Sequence, residues 1–197
     1  MTKTILGLTF AAVFTISMIA TASAMPSTFD QIRKAALSVN DDLLKLLDVT
    51  AGDKIPTGTI AHGYGVFTDN PGVAIVTTTH PGVLDSEDQS SASDPVWHNH
   101  VVLLDTKSSV CPSGIQVEDL TLESPGETLV KGSAAKIAGV DLGEYTGQFA
   151  NTPIKTGTIS GGTDSVVSFE LDPIFDEGDL TAVCVVPKDL ATPTLLP

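Results

Sequence analysis

Positive charge is scarce in this chain of 197 residues. Lysine and arginine together number 10, against 24 aspartates and glutamates, which gives a formal net charge of −14. Arg33 is the single arginine. A surface this acidic repels phosphate groups, so we expect no nucleic acid partner and no affinity for anionic membranes. The negative charge favours solubility. It does not indicate whether the protein has a protein or surface partner, so that partner stays unknown.

Long apolar runs are also scarce, and the only one lies at the N-terminus. Lys3 precedes a nearly unbroken apolar stretch over residues 5–20, and Ala-Ser-Ala at residues 22–24 fits a cleavage site. Residues 1–24 therefore predict a secretory signal peptide, with a mature chain that starts at Met25 and leaves the membrane after cleavage. An uncleaved N-terminal anchor is the alternative, because the stretch approaches the length of a spanning helix.

The chain has few cysteines. Cys111 and Cys184 are the only two, and cysteines of exported proteins usually pair in an oxidising compartment. The sequence therefore predicts one disulfide and a secreted protein, in an extracellular or periplasm-like compartment. A thiolate that ligates a metal or acts as a nucleophile is the alternative for these residues.

Helical periodicity is confined to the N-terminal part of the mature chain. Thr28 and Gln31 match a capping box, and apolar residues then recur every three or four positions, as on one face of a helix. The pattern predicts a helix over residues 27–48, within an N-terminal helical segment spanning residues 25–52. The poor helix formers at residues 40–42 interrupt it and are able to cap a second, shorter helix. The members of the apolar stripe are Phe29, Ile32, Ala36, Val39, Leu43 and Leu46.

From residue 57 onward the pattern changes to period two and to β-branched residues, with turn signals between short segments. This predicts a mainly β protein: an antiparallel β-sandwich or barrel with an N-terminal helix. The β-sandwich domain is expected over residues 53–187, with an unstructured C-terminal tail over 188–197. Candidate strands cover residues 57–68, 73–80, 96–105, 115–122, 128–131, 134–140, 144–149, 154–160, 165–171 and 180–186.

Four histidines lie within one fifth of the chain, and they are the strongest functional signal. His98 and His100 occupy alternate positions of a predicted strand, so their side chains share one face and are able to bind one metal ion. His80 or His62 would supply further neutral nitrogen ligands, of the kind that copper and zinc accept. The alternative is that these are ordinary strand histidines. Trp97 falls on the opposite face, where we expect core packing.

Two acidic clusters offer hard oxygen ligands for calcium, although neither has the spacing of an EF-hand loop, so solvated turns are the favoured interpretation. No nucleophile elbow is present, and the catalytic residues and the presence of enzymatic activity are left open. The leading hypothesis is a secreted β-sandwich that binds copper or zinc. A structural or adhesive cell-surface module, or a metal-dependent enzyme using the same histidines, are the alternatives. The first of the two acidic clusters consists of Asp85, Glu87, Asp88 and Asp94. The second consists of Asp172, Asp176, Glu177 and Asp179.

Overall fold

The computed structural model describes residues 28–197 and shows a mainly β protein whose strands pair almost entirely antiparallel. The predicted signal peptide lies outside the described residues. Within the described part of the chain, no helix is long and apolar enough to cross a membrane. The strands are β1 (Ile32–Asn40), β2 (Leu43–Ala51), β3 (His62–Phe67), β4 (Val73–Thr79), β5 (His98–Asp105), β6 (Gln116–Leu120), β7 (Glu127–Lys131), β8 (Ala134–Ala138), β9 (Val140–Asp141), β10 (Glu144–Thr146), β11 (Pro153–Lys155), β12 (Val166–Asp176), β13 (Asp179–Ala191) and β14 (Thr194–Leu195).

The predicted N-terminal helix is wrong. Residues 32–51 instead form the hairpin of β1 and β2, in which Asn40 pairs with Leu43 across a two-residue turn. In β2, Leu46 pairs with Ser38 and Leu44 pairs with Val39, so Lys45 is an extra residue at a bulge. Arg33 is a second extra residue, between the pairs Ile32–Ala51 and Lys34–Thr50. Each bulge places two core-facing residues three positions apart, Ile32 with Ala35 and Leu44 with Leu47, and this spacing resembles a turn of a helix.

Two layers make up the fold. Strands β12, β13, β6, β5, β4 and β3 close into a barrel, and β14, β1, β2, β8 and β7 form a sheet to which β9 is added through β2. One apolar core lies between the sheet and the outer wall of the barrel; it includes Leu47 and Val49 from β2 and Val66 and Ile75 from the barrel. A second core lies inside the barrel. Every residue of β4 is therefore buried, since one face meets each core.

The interior of the barrel is only partly filled. Gly63 and Gly65 of β3 lie where a side chain would collide: a Cβ at Gly63 would be 2.6 Å from the ring of Phe169, and one at Gly65 would be 2.7 Å from a methyl group of Val76. These glycines let side chains from the neighbouring strands reach into the barrel. A cavity of about 70 Å³ remains among them.

The C-terminal residues are ordered, contrary to the predicted unstructured tail. Residues 188–191 continue β13, and β14 pairs in parallel with β1. Each pairing satisfies backbone groups that an unstructured tail would leave to water. The predicted disulfide between Cys111 and Cys184 is confirmed.

Candidate metal site

Two neighbouring strands of the barrel carry three of the four histidines. His80 directly follows β4, and His98 and His100 begin β5. These strands are antiparallel neighbours, with Thr78 opposite His98 and Val76 opposite His100. Because alternate residues share a face, all three imidazoles point into the same end of the barrel. Each of the three is at most 4% exposed.

Asp85, from the loop between β4 and β5, completes a buried group of four possible ligands with these histidines. Its Oδ1 lies 3.3 Å from Nε2 of His80, 3.4 Å from Nε2 of His98 and 3.6 Å from Nε2 of His100. The Nε2 atoms of His80 and His98 are 3.2 Å apart. In a tetrahedral metal site with bonds of about 2.0–2.1 Å, two ligand atoms lie about 3.3–3.4 Å apart. The four separations in this cluster lie on either side of that distance.

Backbone carbonyls fix the tautomers of two imidazoles. Nδ1 of His98 lies 2.9 Å from the carbonyl oxygen of Val96, and Nδ1 of His100 lies 2.7 Å from that of Thr121. A carbonyl oxygen only accepts, so each Nδ1 carries the proton and each neutral ring directs the bare Nε2 lone pair at Asp85. A histidine whose outer nitrogen donates to a carbonyl is the usual arrangement around a protein-bound metal.

The cluster therefore has more acceptors than donors. Among residues 28–197, Nε2 of His100 and Oδ1 of Asp85 are buried without a hydrogen-bond partner. Nδ1 of His80 also has none in that range, so His80 is free to hold its proton on Nε2. One proton cannot satisfy Oδ1 and two imidazole lone pairs at once, whereas a metal cation would bind all of them.

The carboxyl group of Asp85 is ionised in this cluster. Burial by itself raises its pKa, but the interactions with His100, His80 and His98 outweigh burial and hold that pKa well below its usual range. Burial lowers the pKa of His98 against the opposing effect of the Asp85 carboxylate. An ionised aspartate beside a neutral His98 is the protonation pattern that metal ligation requires.

Gln89 holds the Asp85 loop in place. Its Oε1 accepts the backbone N–H groups of Asp85 and Ser86 at 3.0 and 3.2 Å, and its Nε2 donates to the carbonyl of Val83 at 3.1 Å. Gln89 is itself buried. A long loop without regular structure thus presents one carboxylate at a fixed position.

His62 lies outside this group. His62 and Tyr64 are two residues apart in β3, so their side chains share one face and point to the core between sheet and barrel. The ring of His62 packs there on Phe29 and Trp97, at centroid distances of 5.1 and 5.2 Å. Its Nδ1 hydrogen-bonds to the carbonyl of Ile60 at 3.0 Å. Trp97 also packs against that core.

The two acidic clusters also separate in the structure. Asp85 is buried in the histidine group, whereas Glu87 and Asp88 of the same loop are exposed. The acids at 172, 176, 177 and 179 are exposed around the β12–β13 turn. From the sequence, Asp85 could not be distinguished from its acidic neighbours; its one signal is its position five residues after His80.

No protein-family model, no curated protein and no solved structure matches this chain.

Proposed function

We propose that the protein is an exported β protein that binds one copper or zinc ion through His80, Asp85, His98 and His100. The observation that supports this best is the convergence of four buried ligand atoms that lie within 4.8 Å of one another, with four of their separations at 3.2–3.6 Å. Imidazole nitrogen and carboxylate oxygen suit both metals. Calcium prefers six to eight oxygen ligands, so it fits this nitrogen-rich set poorly.

Export is part of the proposal. It is supported by the disulfide between Cys111 and Cys184, because such bonds persist in oxidising compartments. The apolar N-terminal segment and its cleavage motif point in the same direction. A metal-dependent enzyme is the second candidate function, and the cavity beside the cluster is the observation that favours it.

Calorimetric titration of copper and zinc into the metal-free protein tests the site. Wild type should bind one ion per chain, and the double variant His98→Ala/His100→Ala should lose at least a hundredfold in affinity, because two ligands are removed. His62→Gln is the matched control: it changes a fully buried histidine outside the cluster and should bind the metal as wild type does. Equal affinity in wild type and the double variant would refute the proposal and leave a structural or adhesive module as the better interpretation.

A further inference from the structure

The barrel cavity adjoins the proposed metal site. His80, Asp85 and His100 line the cavity, and His98 does not. A tetrahedral ion held by the four groups would present the face formed by the first three ligands to the cavity, with His98 behind it. A ligand that enters through this face adds a fifth position, which zinc sites reach in some states and which copper(II) accepts.

The charge of the site selects the head group of such a ligand. Asp85 is the only carboxylate among the described residues that line the cavity. Three neutral imidazoles, one carboxylate and a divalent ion sum to a charge of about +1 in a buried space. An unpaired buried charge is costly, and a monoanionic head group bound to the metal would neutralise it.

The rest of the cavity indicates what kind of tail, the part of the ligand beyond its head group, would fit. Beyond the metal-binding residues its wall is apolar, apart from Thr78, whose hydroxyl donates to the carbonyl of His62 at 2.9 Å. A second hydrogen-bond acceptor on the ligand would therefore find no donor among these residues. The volume of about 70 Å³ is several times the roughly 10–15 Å³ that one water needs. A tail of about three to five carbon atoms fits this space. The apolar wall includes Val76, Val102, Val117, Val167, Phe169 and Leu171.

We infer that the metal-loaded barrel binds a small aliphatic monoanion, of the class of short-chain carboxylates, with its carboxylate on the metal and its alkyl chain in the cavity. This inference rests on the proposed function, since the head group needs the ion. It assigns the chemical class of the ligand and involves no bond-breaking step.

The test titrates straight-chain carboxylates from formate to octanoate into the copper-loaded protein and follows the visible absorption of the copper. Affinity should rise about fourfold for each added methylene, which is the effect of about 0.8 kcal/mol per buried CH₂. The rise should stop near butanoate to hexanoate, when the cavity is full.

Two variants check that the chain lies in the cavity. Val117→Phe fills the cavity from β6, where Val117 pairs with Leu104, four residues along β5 from His100. It should remove the dependence on chain length while formate still binds with wild-type affinity. Phe169→Leu enlarges the cavity and should move the optimum to a longer chain, a gain that a misfolded protein cannot imitate. Both variants should take up copper as wild type does, because neither residue belongs to the histidine and aspartate cluster.

The outcomes separate the two proposals. If copper binds and the carboxylates either leave its spectrum unchanged or bind without dependence on chain length, the inference is wrong and the metal site stands. If neither copper nor zinc binds, the proposed function is overturned, and the inference falls with it.

Discussion

Strand parity gives four buried histidines two different environments. His98 and His100 face the barrel interior, where their Nε2 atoms meet Asp85. His62 has the opposite orientation, with Phe29, Tyr64 and Trp97 around its ring. Residue type alone does not distinguish these roles. The shared face of the H-x-H pair could be predicted from the two-residue period of a strand, whereas the direction of His62 depends on which layer covers each face of β3.

His62 should make the stability of the protein depend on pH. Burial lowers its pKa below 6.5, although the carbonyl of Ile60 and the charges of Asp30 and Glu170 oppose the shift. The unfolded chain binds a proton near pH 6.5 and the folded chain does so only at lower pH. The stability that the neutral His62 contributes is therefore fully present above about pH 6.5. As the pH drops from there through the folded pKa, this contribution is lost, and the free energy of unfolding falls by at most about 1.4 kcal/mol per pH unit.

Urea unfolding of the metal-free protein between pH 5.0 and 7.5 measures this effect. His98 also has a lowered pKa, so the informative quantity is the difference between wild type and His62→Gln. The variant should show a shallower loss of stability below pH 6.5. Parallel curves for the two proteins would contradict the prediction.

At the scale of elements, most of the strands from β3 to β13 were predictable, and the β1–β2 hairpin and β14 were not. Period two is regular in β3, where Gly63 and Gly65 alternate with larger side chains, and β4 is rich in β-branched residues. Turn residues mark the ends of most later strands. In β2 the bulge at Lys45 places Leu44 and Leu47, three residues apart, on the same buried face. Sequence periodicity cannot distinguish such a bulge from a helical turn, since the pairing that reveals it comes from the partner strand.

The loop between β4 and β5 shows a second limit of prediction. Residues 81–97 have no periodicity, so the sequence does not indicate which of their acids turns inward. The choice of Asp85 depends on contacts within the loop: the side chain of Gln89 binds the backbone at Asp85, and the N–H of Gly82 donates to the carbonyl of Ala92 at 2.6 Å. These contacts form only when the loop closes over the end of the barrel.

Gln89→Ala should weaken metal binding about 10- to 100-fold, the usual cost of removing a group that orients a metal ligand. The variant keeps all four metal-binding side chains and loses the bonds from Gln89 to the loop backbone at Asp85, Ser86 and Val83. Calorimetric titration of zinc measures the change, with Ser91→Ala as the control, since Ser91 lies in the same loop and is exposed. Wild-type affinity in Gln89→Ala would show that Asp85 does not need this support.

At the scale of the whole molecule, closure of the barrel brings the site and the cavity together. Five of its six strand junctions are ladders of at least four paired residues. The junction of β13 with β6 has one registered pair, Cys184 with Gln116, and a further bond from the N–H of Val185 to the carbonyl of Ile115 at 3.0 Å. Cys184 is also bonded to Cys111, so the disulfide reinforces the weakest junction.

Removal of the disulfide should therefore destabilise the protein and open this junction first. The bond joins residues 73 apart in sequence, and closing a loop of that length contributes about 4 kcal/mol in the chain-entropy model. We expect Cys111→Ala/Cys184→Ala to lose stability of that order in urea unfolding. In hydrogen exchange, the amides of β6 and β13 should lose more protection than those of β3 and β4, because local opening begins where the fewest contacts hold two strands together. A uniform loss of protection across the barrel would show that the disulfide acts only on the unfolded chain. Unchanged stability of the variant would show that strand pairing closes the barrel without the disulfide.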